Sequence, residues 1–482
     1  MMNLDERPAR PGGDAPFNRR IILLLDGTWN QDEIGGNSTN IVRLRELIAN
    51  SLDPLEAAPT AKMSALPASR AETNPRTFEG REYVVFYQRG VGTGPFDRVR
   101  GGGFGIGLDT NIRRAYRFLS FHYLPGDEVF IFGFSRGAYT ARSLTGYLGS
   151  VGLLRCETCT PEREALAWSF YRTPPSDRLP GIWKGLEPHV HPRGMLRIAC
   201  LGLFDTVGAL GVPLEGFRRL NRQNFEFHDV ELSSLVDIAL HALATDEHRR
   251  PFEASLWRRN KFKRTSAIVE QVWFPGVHAD IGGGYLNHAG RNGAPDCALD
   301  DLSLDWMIKR VCEHFPDFPI ARQIWPSLPE TAKLGPRHDS RSWTYKLWRK
   351  AIRSIGNMSI PPALLTTRDL GVGFDPHARA VNESIHISTL QLLGTQTRIE
   401  NRTEFYAPPN LVSVLDELEQ LYKERPATVA ADTLTVTGAD GEAVQPQSAH
   451  APRVYAEVTG AIERLERAAP DLARRMRSGA SA

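Results

Sequence analysis

Residues 128–142, EVFIFGFSRGAYTAR, constrain this chain more than any other segment. A β-branched and aromatic run, Val129–Phe132, stops abruptly at Gly133-Phe134-Ser135-Arg136-Gly137, and a helix-forming run, Ala138–Leu144, follows at once. Strand, tight turn and helix in that order, with a serine at the apex and a glycine two residues to either side, make the G-x-S-x-G nucleophile elbow. The glycines are needed because the turn is strained and its flanking elements crowd it. A Cβ at Gly133 or Gly137 would strike its neighbours. The turn lifts the Ser135 hydroxyl clear of the backbone and aims the amide N–H of Arg136 at the place where an oxyanion would form. The bland alternative is a structural turn between strand and helix that happens to contain a serine.

Serine is a weak nucleophile unless a base takes its proton and a third group orients the base. Both partners should sit at strand ends on the same edge of a sheet. Asp205 follows the apolar run IACLGLF, and His278 follows the next such run, in WFPGVHADIGGGY. Ser135, Asp205 and His278 stand in the chain order Ser, Asp, His of the α/β-hydrolases. Glycines 282–284 would let the loop after His278 fold closely against other backbone. Asp280 is a rival for the acid, but it lies only two residues from the base, and a partner carboxylate usually approaches from a separate loop. The bland readings are a turn-capping carboxylate for Asp205 and a core histidine for His278.

An oxyanion hole needs a second N–H, which in this fold comes from an earlier strand-to-helix loop. Asp26-Gly27-Thr28 ends the first buried run, Ile21–Leu25, so Gly27 or Thr28 is the expected donor, with Asp26 tying the loop down. Asp-Gly-Thr at a strand end also resembles the nucleophile motif of aspartyl-phosphate phosphatases. That chemistry needs a second acid nearby, and Leu24 and Leu25 precede this one. The glycine-rich stretch 90–107 contains neither G-x-x-x-x-G-K-[ST] nor G-x-G-x-x-G, so it reads as a loop beside the site rather than a phosphate cradle.

Apolar strand runs alternate with helical periodicity along the chain. Strands are expected at Ile21–Leu25, Tyr83–Tyr87, Val129–Phe132, Arg197–Phe204 and Ala267–Phe274. Helices are expected at Asn40–Asn50, Asp109–His122, Leu232–Phe252 and Asp300–Phe315. This alternation predicts an α/β fold of the α/β-hydrolase kind, with a mostly parallel central sheet and helices on both faces. Residues 1–19 read as a disordered leader and 20–315 as the catalytic domain. Residues 316–425 read as a helical or irregular accessory region, and 426–482 as a flexible segment followed by a helix with Val454, Val458, Ile462 and Leu465 on one face. Ser51–Gly80, rich in Ala and Pro, reads as a loop.

Two further segments invite functional readings. On the expected helix HALATDEHRRPFE, His241, Thr245 and His248 would share a face. An ion-pair network of Asp246, Glu247 and Arg249 or Arg250 is favoured there over a metal site. Over Arg341–Asn357, helical spacing would put Trp343, Leu347, Trp348, Ala351, Ile352 and Ile355 on one half. Lys346, Arg349, Lys350 and Arg353 would fall on the other. Basic and Trp-rich is what an interfacial helix needs against anionic lipid, so peripheral membrane contact is one reading, but a surface helix packed on the core is favoured over it.

Composition removes several classes. A net charge of +2 over 482 residues gives no general polyanion signal, so nucleic acid is not an expected partner. Five cysteines, an odd and sparse set, fit a reducing compartment. Cys156 and Cys159 form a lone C-x-x-C without the second ligand pair that zinc would need. No cofactor or metal is expected. The N-terminus lacks an apolar signal region, and the longest aliphatic run is far too short to span a bilayer, so cytoplasmic synthesis is expected.

Six strings in this order, LLLDGTWN, YQRGVGT, PGDEVFIFGFSRGAYTAR, GLFDTVGALG, HALATDEHRRPFE and WFPGVHADIGGGY, resemble the Tle-one-like catalytic domain. This α/β-hydrolase family is typified by phospholipase effectors of type VI secretion. The resemblance runs from about Ile21 to Trp306. It implies a serine hydrolase acting on phospholipid esters, with Ser135 as nucleophile and a triad completed by Asp205 and His278. It also implies possible export by a type VI system, with a secretion-spike or immunity protein as partner. Two rivals remain. A soluble carboxylesterase on small esters would pack Arg341–Asn357 inward. A non-catalytic interaction module on the same fold would leave Ser135 and His278 out of hydrogen-bond reach.

Overall fold

A parallel strand covered on both faces must be apolar at nearly every position, because successive side chains enter opposite layers. The first strand, β1 (Arg19–Leu25), behaves this way. Ile21, Leu23 and Leu25 enter one hydrophobic layer, and Ile22 and Leu24 enter the other. The structure is a computed structural model that describes residues 19–27, 38–52, 69–90, 103–207, 232–258, 267–285, 298–325, 328–341, 349–356, 360, 362–366, 369–372, 380–399, 402–424, 433–435 and 451–479.

After β1 come α1 (Asn40–Leu52), β2 (Ser69–Phe78), β3 (Arg81–Gln88), α2 (Gly103–His122), β4 (Glu128–Phe134) and α3 (Arg136–Val151). Next are α4 (Pro161–Arg172), α5 (Pro180–Leu186), β5 (Ile198–Phe204), β6 (Val236–Ala244), β7 (Ile268–Phe274), α6 (His278–Gly282) and α7 (Leu299–His314). The C-terminal third adds β8 (Lys350–Arg353), β9 (Asp369–Val372), β10 (Glu383–His386), α8 (Ile387–Leu392), β11 (Gln396–Ile399) and β12 (Arg402–Phe405). It closes with α9 (Pro409–Glu424), β13 (Thr433–Thr435), α10 (Ala451–Ala468) and α11 (Pro470–Gly479).

Nine strands form one sheet in the order β13-β10-β7-β6-β5-β4-β1-β3-β2. The seven inner strands run parallel, and β2 and β13 close the edges antiparallel. Helices α2 and α3 cover one face, and α1 and α7 the other. A third cluster, joining Leu243 and Trp273 of the sheet to Ile352, Leu415 and Ile462, packs the C-terminal third against it.

Register levels the strand ends. Leu25 pairs with Gly133, Phe134 with Phe204, Phe204 with Ala242, and Ala244 with Phe274. The residues just beyond β1, β4, β5 and β7 therefore emerge on one edge. Asp26, Ser135, Asp205 and the turn leading to His278 all lie there.

Several sequence expectations are corrected. Leu232–Phe252 is not helical: it holds strand β6, with a short 3-10 turn at Arg250–Phe252. An apolar run buried on both faces carries no alternation to tell strand from helix, and here its neighbours in the sheet decide. His241 is thus a strand residue, and its Nε2 accepts the Thr206 N–H at 3.1 Å. The ion-pair part of that reading does form, with Arg249 Nε 2.9 Å from Glu247 Oε1. Within Ser51–Gly80, taken as a loop, Ser69–Phe78 is the edge strand β2. The glycine-rich stretch contributes the first turn of α2, which starts at Gly103, and 91–102 lie outside the described residues. The sheet also draws β10 and β13 from beyond residue 315. Val458, Ile462 and Leu465 of α10 are buried in the third cluster.

The helix expected over Arg341–Asn357, whether packed on the core or facing lipid, is corrected too. Lys350–Arg353 is strand, with Ala351, Ile352 and Ile355 in the core. The pattern Ala351, Ile352, Arg353, Ser354, Ile355 fits either period over so short a span, and pairing of β8 with β9 selects the strand. Trp343, Lys346, Leu347 and Trp348 lie outside the described residues. Among the described residues, no helix is long and apolar enough to cross a membrane.

Candidate active site

Ser135 sits between β4 and α3 with φ +56° and ψ −119°. A non-glycine residue in that region costs on the order of 1–3 kcal/mol and persists only where packing over-determines it. The packing is visible at the two glycines. A Cβ on Gly137 would lie 2.0 Å from the Leu25 carbonyl oxygen, and one on Gly133 2.7 Å from the Ala138 nitrogen. The Ser135 N–H donates to the Phe204 carbonyl at 3.1 Å, fixing the apex against β5. Asp205, the residue after β5, is also left-handed, with φ +36°.

His278 opens α6, and its ring bridges the other two. Nε2 lies 2.8 Å from Ser135 Oγ, and Nδ1 lies 2.7 Å from Asp205 Oδ2. A carboxylate beside Nδ1 fixes the proton there and leaves Nε2 as the acceptor facing the hydroxyl. Phe134 and Phe252 flank the imidazole at ring-centre distances of 4.8 and 5.0 Å. The His278 N–H donates to Glu247 Oε2 at 3.2 Å, and Glu247 is held in turn by Arg249 and by the Ser340 hydroxyl at 2.9 Å.

Charge is distributed as a base would need. Burial pushes the His278 imidazole below its ordinary value, and the Asp205 hydrogen bond offsets this only in part. The ring is therefore neutral at pH 7 and able to take a proton. Burial opposes ionisation of Asp205, but Arg353 and His278 outweigh it and hold the carboxyl well below the usual carboxylate range.

The remaining expected residues fall elsewhere. Asp280 turns away from the imidazole: its Oδ2 accepts the Val277 N–H at 2.9 Å, and its Oδ1 lies 2.6 Å from Nδ1 of His338. Asp280 thus anchors the start of α6. Gly27 is close to the apex, since a Cβ there would sit 3.2 Å from Ser135 Cβ. Its N–H, expected as an oxyanion donor, donates to Asp26 Oδ1 at 2.7 Å. Asp26 does tie the loop down, because it also accepts Thr39 Oγ1 and Tyr87 Oη at 2.9 Å each. Thr28 lies outside the described residues. Arg136 opens α3, directly after the apex. Cys156 and Cys159 are free thiols, and burial raises the Cys159 thiol.

One charged side chain at the site was missed by sequence reasoning. Arg353 of β8, placed on the basic half of an expected surface helix, is buried against Asp205, with Nη1 2.7 Å from Oδ1 and Nη2 3.1 Å from Oδ2. A lone arginine among Ala351, Ile352 and Ile355 was the available signal.

A levelled parallel sheet, a strained serine between strand and helix, and a histidine bridging it to a buried aspartate define an α/β-hydrolase-fold chain. The family model described as type VI secretion system phospholipase effector Tle1-like, catalytic domain, matches residues 19–310, more than half of the chain, and the chain belongs to that family. An uncharacterized protein of Saccharomyces cerevisiae is 27% identical over 271 residues, which is 52% of this chain and 34% of that protein. The chain thus spans about a third of the length of this curated relative. Among solved structures, an uncharacterized protein from Pseudomonas aeruginosa aligns with TM-score 0.38 and 19% identity, over 65% of this chain and 48% of that one. A thermophilic esterase of Thermogutta terrifontis, solved with butyrate bound, aligns with TM-score 0.29 and 12% identity, over 63% of this chain and 87% of that one. Likeness at that level speaks to neither substrate nor mechanism.

Proposed function

We propose that this chain is a serine ester hydrolase with Ser135 as nucleophile, His278 as base and Asp205 as the orienting acid. The observation that carries the reading is the unbroken run from Ser135 Oγ to His278 Nε2 at 2.8 Å and from Nδ1 to Asp205 at 2.7 Å. Ser135 Oγ attacks the ester carbonyl while its proton moves to Nε2, giving a tetrahedral oxyanion and an imidazolium paired with Asp205. The imidazolium returns the proton to the leaving alcohol as the C–O bond breaks, leaving an acyl-enzyme. Water, deprotonated by His278, then releases the acid. The Arg136 amide, just past the apex, is the first oxyanion donor in this scheme. The second belongs to the 27–28 loop, and at Gly27 it would have to leave the Asp26 carboxylate. An interaction module with a decayed site would have no use for a strained serine held at hydrogen-bond distance from a neutral imidazole.

The substrate class follows from the family: a glycerophospholipid, cleaved at an acyl ester. Export by a type VI system, with a spike or immunity partner, belongs to the same reading. A second reading, a soluble carboxylesterase, is favoured by one observation. Residues 351–355 of the segment that this rival would pack inward are buried, with Ala351, Ile352 and Ile355 in the core, while Arg349 and Lys350 are exposed. The test is hydrolysis of phosphatidylglycerol and phosphatidylethanolamine vesicles beside a short-chain p-nitrophenyl ester, with products identified by mass. Lysophospholipid and free fatty acid support the phospholipase reading. Turnover of the soluble ester alone would leave the triad standing and transfer the chain to the carboxylesterase reading.

A further inference from the structure

The Asp205 carboxylate has more partners than orienting a histidine requires. Oδ2 faces His278 Nδ1 at 2.7 Å and Arg353 Nη2 at 3.1 Å. Oδ1 accepts the Ala244 N–H at 3.0 Å and Arg353 Nη1 at 2.7 Å. The guanidinium is itself fixed: Nη1 also donates to the Ala244 carbonyl at 2.9 Å, and Nη2 to the Phe252 carbonyl. Both side chains are almost fully buried, at 3% and 0% exposure. Arg353 lies beyond the family-matched segment, which ends at residue 310. It reaches the site because β8 pairs with β9, the Ala351 N–H donates to the His248 carbonyl at 3.0 Å, and Ile352 and Ile355 bury in the third cluster.

We propose that Arg353 is a positioning residue for the reaction: its forked guanidinium locks the triad acid in one orientation and offsets part of the charge that His278 sees, so that the C-terminal segment completes the active site. This rests on the serine-hydrolase reading above. A planar fork matches both carboxylate oxygens at once and removes the rotational freedom that would let Oδ2 swing off Nδ1. The positive charge opposes the imidazolium. It therefore keeps Nε2 free to accept a proton at lower pH than an unpaired aspartate would allow. The other charged or titratable groups around the pair are Glu247 and Arg249 after β6, His241 on β6, and Arg142 on α3.

The test is the pH dependence of Ser135 labelling by a fluorophosphonate, in which Oγ bonds to phosphorus as fluoride leaves and the proton passes to His278. It needs no lipid, so it is independent of the true substrate. Wild-type labelling rises through a single acid limb. In Arg353→Gln that limb moves up by about one pH unit, as expected for loss of an adjacent opposing charge. In Arg353→Lys, which keeps the charge but not the fork, the limb stays near wild type while labelling slows several-fold. Near-UV circular dichroism checks that both variants are folded. A purely structural arginine would lower stability without moving the limb. An unshifted limb in folded Arg353→Gln, or a wild-type rate in Arg353→Lys, overturns the proposal. If wild type is not labelled at Ser135, the serine-hydrolase reading fails first and this inference falls with it.

Discussion

Ser135, Asp205 and Gly137 each hold a conformation or a gap that their neighbours impose. A methyl group on Gly137 would meet the Leu25 carbonyl at 2.0 Å, so Gly137→Ala must push α3 away from β1. The expected cost is at or above the top of the overpacking range, about 3 kcal/mol, read as a lowered urea midpoint and lost activity together. With His278 as the proposed base, the pH dependence of hydrolysis should follow this imidazole, whose burial lowers its proton affinity. A protonated base is inactive, and a lowered proton affinity keeps the base neutral further into acid. The acid limb of kcat/KM should therefore have its midpoint below the ordinary imidazole value of about 6.5. A midpoint above 7 would contradict the burial argument.

Strands β5, β6 and β7 show what the sequence could and could not reveal about elements. IACLGLF and IVEQVWF lie between clear turn signals and read correctly as strands, and the elbow was legible because its glycines answer a steric demand. VDIALHALA was misread because a strand buried on both faces is simply apolar, and its hydrogen-bond partners lie tens of residues away in β5 and β7. Arg353 was misread for the same reason. A four-residue strand has too few positions to declare its period, and its partner Asp205 is 148 residues distant. Gln271 shows how β7 ties in the C-terminal third. Its Nε2 donates to the Trp257 and Val381 carbonyls at 3.0 and 2.7 Å, and its Oε1 accepts the Trp257 N–H at 2.7 Å. Gln271→Leu orphans the Trp257 N–H and the Val381 carbonyl, each at about 1–3 kcal/mol. The expected loss of stability, on the order of 2–6 kcal/mol, is measurable by denaturant titration, and a change below about 0.5 kcal/mol would mean the contacts are dispensable.

At the scale of the whole molecule, the family-matched segment shares its sheet and part of its core with the C-terminal third. Its sheet continues into β10 and β13, and the third cluster covers Leu243 and Trp273 with residues from the C-terminal third. Arg353 comes from that third as well. A chain cut after residue 315 would expose this apolar surface and leave the buried Asp205 carboxylate without its cation, so it should be insoluble or inactive. A soluble, fully active 1–315 fragment would refute this dependence. Whether one serine performs the chemistry is read from ester hydrolysis by wild type and Ser135→Ala on the same substrate under the same conditions. A reaction that depends on Ser135 should fall at least about a thousandfold, with the melting temperature little changed because the backbone conformation is kept. Hydrolysis by Ser135→Ala at a rate close to wild type would contradict it.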